Sequence, residues 1–455
     1  MPEPTRRQFV QSAAAVAAGL SLPRLACAQP ANANSKLSHA CIGVGGMMGG
    51  YDLGQFAGHP RVNITALCDV DRNILNAAAA NFPDARLYAD WREMLDQEGD
   101  RIDSVNITVP DHMHAAIGLA AAKRGKHIYC QKPMCHDVAE VRALTDAAAD
   151  AGVCSQLGTQ HASGTGDRMG VHFIQQGAIG KISRVVLCSN RSGVEPYRPL
   201  GPRPDHTDPV PDHLDWDLWL GTAPERPYVN SIYHVHRWRG WLDFGTGWLG
   251  DIGCHIFDAP WKALRLTAPT SVVAEDVQQS WIESPERRAD TWPQGQHVVW
   301  KFPGQDNDLI DGDELHVDWY DGEYFPPDDL RNIVLEHEPS YPEEASLFVG
   351  ETGIMLLRHG GYPTFYPREI MNELERPELP AMSHYHRFLD ACLGGEDSNS
   401  PFHITGPMAE AILLGTVAVR NPGQTLHWDP DHLAITNSDT AQQMLAREYR
   451  AGWGV

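Results

Sequence analysis

The chain has 455 residues, with 59 acidic side chains against 36 lysines and arginines and a formal net charge of −23. That deficit excludes a nucleic acid or an anionic lipid surface as partner, because both need a positive footprint. The length predicts two domains with a sizeable core.

Residues 1–28 read as an export signal. Arg6 and Arg7 precede Phe9 and Val10, an apolar run spans Ala13 to Leu22, and Ala26-Cys27-Ala28 forms a small-residue cleavage site. The arginine pair marks a twin-arginine address, a route for folded passengers, so a periplasmic or other extracytoplasmic location is expected. The apolar run is shorter than the ~18 to 20 residues of a bilayer span, and no membrane association is expected after cleavage. Removing three arginines and Glu3 takes the net charge from −23 to about −25. Cys41, Cys68, Cys130, Cys154 and Cys188 lie in apolar, strand-like runs, where cysteine behaves as a small buried hydrophobe, and free thiols are expected.

From 36 to 158 short β-branched runs (HACIGV, VNITALCD, IDSVNITV, KHIYC, VCSQL) alternate with helical stretches. Asp90 with Glu93 and Asp137 with Glu140 have capping-box spacing, and Gly125 and Gly152 stand where helices should stop. Such alternation predicts a parallel sheet with helices on both faces, a Rossmann-type domain. Within it, CIGVGGMMGG follows a strand and opens a helix. Gly43 permits the tight turn, and Gly45, with Gly46 and Met47 beside it, lets the backbone approach a pyrophosphate resting on the helix N-terminus. The third fingerprint position falls on Met48, with Gly49 one residue later. Asp69 ends the second strand, 24 residues after Gly45, where a carboxylate accepts ribose hydroxyls and repels a 2′-phosphate. NAD is therefore expected over NADP, with Arg72 the one nearby feature that would suit the phosphate.

The remainder, 159–430, predicts an α+β domain whose large open sheet is mostly antiparallel, followed by a tail at 431–455. A helix is expected from Asp167 to Gln176, then the strand KISRVVLCSN, then a proline-rich loop from Val194 to Pro211. The strand-like runs SVVAEDV, HVVWKF, ELHVDWY and GIMLLR follow without regular helices between them. The segment 305–345 carries fourteen acidic residues against Arg331 alone and reads as a solvated insertion. Helices return at Ser383 to Leu393 and Pro407 to Arg420. An exposed sheet face predicts a homo-oligomer.

Two further segments carry chemistry. TVPDHMHAAIGLAAAKRGKHIYCQKP, from Thr108 to Pro133, combined with the glycine turn, resembles the Gfo/Idh/MocA family of sugar and inositol oxidoreductases. Thr108, Pro110, His114, Lys132 and Pro133 match its T-x-P-x-x-x-H and E-K-P patterns, with Gln131 in place of the glutamate. In the second half, GWLGDIGCHIFD matches the family's D-x-G-x-H segment at Asp251, Gly253 and His255. The resemblance implies an NAD-dependent enzyme acting on a secondary hydroxyl of a sugar or polyol. Lys132 would then steady the developing alkoxide, and His255, titrating near neutrality and oriented by Asp251, would take the hydroxyl proton. It also implies an alternative, an NAD-dependent glycosidase of the N-acetylgalactosaminidase type.

Thr108, Pro110, His114, Gln131 and Lys132 are the remaining expected cofactor contacts, and Gln160, Arg237 and Trp238 the expected substrate contacts. Six of thirteen tryptophans, Trp216, Trp219, Trp238, Trp241, Trp248 and Trp261, fall within 46 residues and could offer platforms to a pyranose. His234 and His236, like Arg239, could bind hydroxyls. No metal is expected, since the two histidines lack a third ligand at a telling distance.

Overall fold

A computed structural model describes residues 36–192 and 201–454; the expected export signal at 1–28 and the beginning of the proline-rich loop lie outside these residues. The first domain is a six-stranded, all-parallel sheet in the order β3-β2-β1-β4-β5-β6. Its strands are Leu37–Ile42 (β1), Val62–Cys68 (β2), Arg86–Tyr88 (β3), Ser104–Ile107 (β4), His127–Cys130 (β5) and Ser155–Leu157 (β6). The helices between them are Gly49–Ala57 (α1), Arg72–Ala79 (α2), Trp91–Glu98 (α3), His114–Lys123 (α4) and Val138–Asp150 (α5). Strands β4, β5 and β6 are buried along their whole length, as a sheet covered on both faces requires. Asp71, Asp90 and Asp137 accept from the first free N–H groups of α2, α3 and α5. Gly125 and Gly152 end α4 and α5 with φ of +66° and +62°.

The second domain is a nine-stranded sheet in the order β13-β12-β11-β7-β10-β9-β8-β14-β15. Its strands are Ile182–Ser189 (β7), Ser271–Val277 (β8), Gln296–Pro303 (β9), Glu314–Asp321 (β10), Glu344–Gly350 (β11), Ile354–Arg358 (β12), Pro363–Tyr366 (β13), Leu426–Asp429 (β14) and Ala434–Ile435 (β15). Only β7 and β10 pair in parallel. The principal helices are Thr165–Gln175 (α6), Trp216–Leu220 (α7), Gly247–Ala263 (α8), Asp328–Leu335 (α9), His384–Cys392 (α10) and Phe402–Arg420 (α11).

Two expectations need correction. The acidic stretch 305–345 is no solvated insertion. It supplies β10, a central strand, and α9, whose Leu330 and Val334 cover one face of β7, β10, β11 and β12. Most of its acidic side chains are exposed, but the buried Asp318 is paired, receiving Arg184 (2.8 Å) and His297 (3.2 Å). Helix α11 begins at Phe402, five residues before Pro407, because burial of its first turns outweighs the one hydrogen bond the proline removes. Cys41, Cys68, Cys130, Cys135, Cys188, Cys254 and Cys392 are buried free thiols, in line with the sequence reading.

Helix α11 joins the domains. It is apolar and long enough to cross a membrane, but 83% of its most apolar window is buried within the fold. It packs on α5 on one side and on α8 and the second sheet on the other. Arg142 on α5 and Glu410 on α11 add a bidentate pair at 2.7 Å. The approach to α8 needs Gly253, where a Cβ would press within 3.3 Å of Ile412 Cγ2. The tail folds back over the first domain: Arg447 binds Glu140 (2.8 Å) and the His112 carbonyl (2.6 Å), and Trp453 stacks under Arg92 at 4.0 Å. Leu414 lies fully buried at the centre of α11, so Leu414→Ala should cost about 2 to 5 kcal/mol in chemical denaturation. Ile404→Ala, on the exposed side of the same helix, should stay within about 0.5 kcal/mol.

Candidate active site

The cleft at the carboxyl ends of β1, β2 and β4 encloses about 1010 Å³, counted out to solvent. Gly43 turns at φ +80°, and a Cβ there would lie 2.1 Å from the Thr108 carbonyl; a Cβ on Gly45 would lie 2.3 Å from Ile74. Side chains are thus shut out where a pyrophosphate needs bare backbone. Gly49 takes over the packing role that the fingerprint assigns to position 48, since its Cβ would meet the Gly43 carbonyl at 2.7 Å. The extra residue is absorbed in the turn: Met48 is the N-cap of α1, and Met47 is exposed at the cleft wall rather than plugging it. Asp69 also lines the cleft, held by the N–H groups of Val44 and Asp71, both at 3.0 Å. Burial pushes its pKa up to about 6. Arg72 turns away to the Asp212 carbonyl, leaving no cation from that position against a 2′-phosphate. The donor set and the glycine cradle fit NAD.

A segment of the second domain roofs this cleft. Trp216, Trp219, Trp238 and Trp241 cluster with Tyr233 and Phe244, and Val70 packs against them. At one rim Asp71 accepts from His213 (3.0 Å) and His234 (3.2 Å); at the other, Thr222 donates to the His112 carbonyl (2.6 Å). Val235 closes to 3.3 Å of a Cβ on Gly46, so the roof rests directly on the glycine turn. Trp219 and Trp238 face the cleft, whereas Trp248 and Trp261 belong to the main core.

Lys132 and Asp251 meet across the two domains. Lys132 Nζ stands 2.7 Å from Asp251 Oδ1 and 3.2 Å from the Asp251 carbonyl, and Arg239 Nε approaches Oδ2 at 3.4 Å. Burial opposes ionisation of Asp251, but Lys132 and Arg239 outweigh it and hold its carboxyl below the usual range. The carboxylate is therefore committed to the two cations, and it does not orient His255 as expected. His255, one turn further along α8, keeps a covered Nδ1 with no hydrogen-bond partner. Burial, then Lys132, His359 and His161, lower its pKa well below the ordinary histidine range. It does not titrate near neutrality. It is a neutral acceptor at pH 7 whose protonated form is disfavoured.

Other expected residues do different work. His114 is fully buried, with Nε2 2.8 Å from the Val109 carbonyl and Nδ1 2.7 Å from that of Pro133. It staples the T-x-P loop to the Q-K-P loop and is not in the cleft, which Thr108 and Pro110 do line. Gln160 donates to Tyr385 (3.1 Å) and Tyr129 (3.3 Å) behind the cleft. Arg237 is exposed; Arg239, two residues on, reaches Asp251 and stacks 4.4 Å over Trp238.

The sequence reading missed Asp52 and Asp111. Asp111 is buried beside Asp251 and accepts from Thr246, and burial, then Asp251, pushes its carboxyl well above the usual range. Asp52, in the first turn of α1, accepts from Gln131 Nε2 (2.8 and 3.0 Å), Thr108 Oγ1 (2.8 Å) and Tyr385 Oη (2.6 Å). It thereby explains Gln131: a glutamate there would face the Asp52 carboxylate at hydrogen-bond distance. Burial raises the Asp52 pKa to about 6.

Gln131→Glu should consequently cost about 3 to 5 kcal/mol at pH 8, the penalty of an uncompensated buried charge, and Asp52→Asn combined with it should recover most of that loss. Because the folded pKa of Asp52 lies above its unfolded one, its contribution favours folding at low pH and is lost as pH rises through about 6. The gap between Gln131→Glu and wild type in urea titrations should therefore narrow below pH 6.

Comparison with known proteins agrees with this geometry. Residues 37–159 match the Gfo/Idh/MocA model described as an oxidoreductase family with an NAD-binding Rossmann fold, and residues 171–314 match the model of an oxidoreductase-family C-terminal alpha/beta domain. Levoglucosan dehydrogenase of Pseudarthrobacter phenanthrenivorans is 31% identical over 49% of this chain and 46% of its own length. A glycosyl hydrolase family 109 protein of Stenotrophomonas maltophilia is 33% identical over 28% of this chain and 29% of its own length. This chain thus spans less than half of each of these curated relatives. Among solved structures, the WlbA dehydrogenase from Bordetella pertussis in complex with NADH and UDP-GlcNAcA superposes with a TM-score of 0.59 at 16% identity, over 87% of this chain and 99% of that one. Levoglucosan dehydrogenase in complex with NADH and levoglucosan does so at 0.56 and 19%, over 86% and 99%. At those identities the superpositions establish the fold. With its NAD-binding Rossmann domain and matching second domain, the chain belongs to the Gfo/Idh/MocA family of oxidoreductases.

Proposed function

We propose that this chain oxidises a secondary hydroxyl of a sugar or polyol with an NAD that it retains between turnovers. The observation that carries the reading is the Lys132–Asp251 contact at 2.7 Å, which joins the cofactor domain to the helix bearing His255. NAD, when bound, supplies the hydride acceptor. Lys132, fixed by Asp251, donates to the substrate oxygen and steadies the charge that develops there. His255, neutral at working pH, accepts the hydroxyl proton. Burial, then Asp251, pushes the Asp111 carboxyl well above its usual range, which disfavours a second negative charge there. Arg239 and Trp238 offer a donor and an apolar face to the rest of the sugar.

Retention of the cofactor is supported by the roof over the cleft and by the tail that braces it: Arg450 binds Asp217 of α7 (2.5 Å) and the Gly221 carbonyl (3.0 Å). A cofactor enclosed in this way could leave the cytoplasm inside a folded passenger of the twin-arginine route, the address read in residues 1–28. Replacing Arg6 and Arg7 with lysine should then stop export, measured by cell fractionation, and undiminished export would reject the route. Without a supply of fresh NAD outside, the cycle would be redox-neutral, with hydride taken from one sugar and returned to another.

Similarity to family 109 glycosyl hydrolases favours a second reading, an NAD-dependent glycosidase that cleaves by oxidation, elimination and reduction at the same Lys132 and His255. One panel separates the two. Denaturing the purified protein should release about one NAD per chain; folded protein free of nucleotide would contradict retention. With neutral sugars and polyols, the bound nicotinamide should become reduced and an equal amount of oxidised sugar should appear. Phenol release from aryl glycosides without oxidised sugar would select the glycosidase instead. His255→Ala should abolish turnover while leaving the nucleotide bound.

A further inference from the structure

Two more imidazoles converge on the base. His161 lies in the single helical turn Gln160–Ser163, and His359 follows β12. Their rings pack edge to face with centroids 4.2 Å apart, and His359 stands 5.2 Å from His255, while His161 is 6.2 Å away from it. The three rings therefore form a row bent nearly at a right angle at His359, so that His161 is also a ring neighbour of His255. His255 and His359 are both half-buried, His255 with a covered Nδ1, and His161 is exposed. Gly360 preserves the outer contact, since at φ +69° a Cβ would lie 2.8 Å from His161 Cε1.

The charges facing the row change along it. His255 feels Lys132 and Arg191, and His359 feels Arg191 and then Lys132, each in addition to the neighbouring imidazoles. His161 faces a carboxylate, Glu344, before it feels Arg191. Asp167 and Arg358 share the small cavity beside His255 and His359, and burial holds Asp167 at a pKa of about 8, so at neutral pH it is mostly protonated and adds little negative charge. A proton on His255 is thus repelled by two cations, and the repulsion weakens toward His161. Burial lowers all three imidazoles, so each rests neutral and able to accept.

We propose that His359 and His161 are a proton relay that carries the substrate's hydroxyl proton from His255 to solvent during oxidation and returns one during reduction. The proposal rests on the reading of His255 as the base. No hydrogen bond joins these three described rings as they stand, so each transfer needs a ring rotation that brings two nitrogens together; His255 accepts the proton on one ring nitrogen and gives one up from the other. His359 repeats the exchange, and His161 passes the proton to water or a buffer base. Each ring ends neutral in its other tautomer, and rotation or the reverse transfer resets it. No electron moves along the row, and the only co-reactant is a proton acceptor in solution. His359 and His161 act through His255 and are positioning residues.

The test is stopped-flow reduction of NAD-loaded, full-length enzyme by whichever sugar of the panel reduces wild type fastest, followed by nicotinamide absorbance and, in weak buffer, by a pH-indicator dye. In wild type the proton should appear in solution together with reduction. His359→Phe and His359→Gln should slow reduction by about 10- to 100-fold, less than the roughly 100- to 10,000-fold that a lost general base costs because His255 remains, with NAD content unchanged. Added imidazole should restore much of that rate. His161→Ala should lose less, because water can replace the exposed end. Wild-type rates in both His359 variants, a loss that imidazole leaves untouched, or a change confined to KM would overturn the relay. Absence of reduction in wild type, or full activity of His255→Ala, would instead overturn the functional reading beneath it.

Discussion

The architecture turns on one ion pair between two domains. Lys132 comes from the loop after β5 and Asp251 from the first turns of α8, and at 2.7 Å their charges are almost wholly removed from water. Such charges are stable only in company, and Asp251 answers Lys132 with one oxygen while its other approaches Arg239. The pair therefore does two things. It closes the domains beside the nucleotide crevice, which Lys132 lines, and it fixes the helix that carries His255 one turn further on, at a small cavity shared with His359. Gly253, between Asp251 and His255, lets α8 sit close enough to α11 for this to happen, and α11 in turn is clamped to α5 of the first domain.

Around that pair, the site keeps its charge count low. Burial pushes the Asp111 carboxyl upward and the His255 imidazole downward, which disfavours charge on both beside Lys132, Asp251, Arg239 and Arg191. A neutral base surrounded by cations accepts a proton only if it can dispose of it, which gives the row of imidazoles leading outward its physical sense. The roof completes the same logic. By resting on Asp71 at one rim and on the T-x-P loop at the other, it excludes water from the place where charge develops, and water exclusion strengthens every interaction there.

Much of this was legible in the sequence because the signals are local. Strand and helix alternation, the glycine turn, Asp69, the Q-K-P loop and D-x-G-x-H are each set by neighbours within a few residues, and each stands where its pattern puts it. What was hidden depends on partners far along the chain. Asp52 looks like an ordinary acid in a first helical turn until Gln131 and Tyr385 close on it. His161 and His359 belong to no motif and meet only because an irregular turn and a strand end converge on α8. The acidic stretch 305–345 misled because charge count masks period: in β10 the charged residues alternate with buried ones or find partners such as Arg184. His114 matched its pattern, yet its role is to hold two loops together.

The central claim is that Lys132 and Asp251 act as one unit, and a double-mutant cycle on the rate of sugar-driven reduction of the bound nicotinamide tests it most directly. If they do, Lys132→Met, Asp251→Asn and the double variant should be impaired to nearly the same degree, because removing either partner already disables both. Independent losses that multiply in the double variant would show two unrelated contributions and contradict the account.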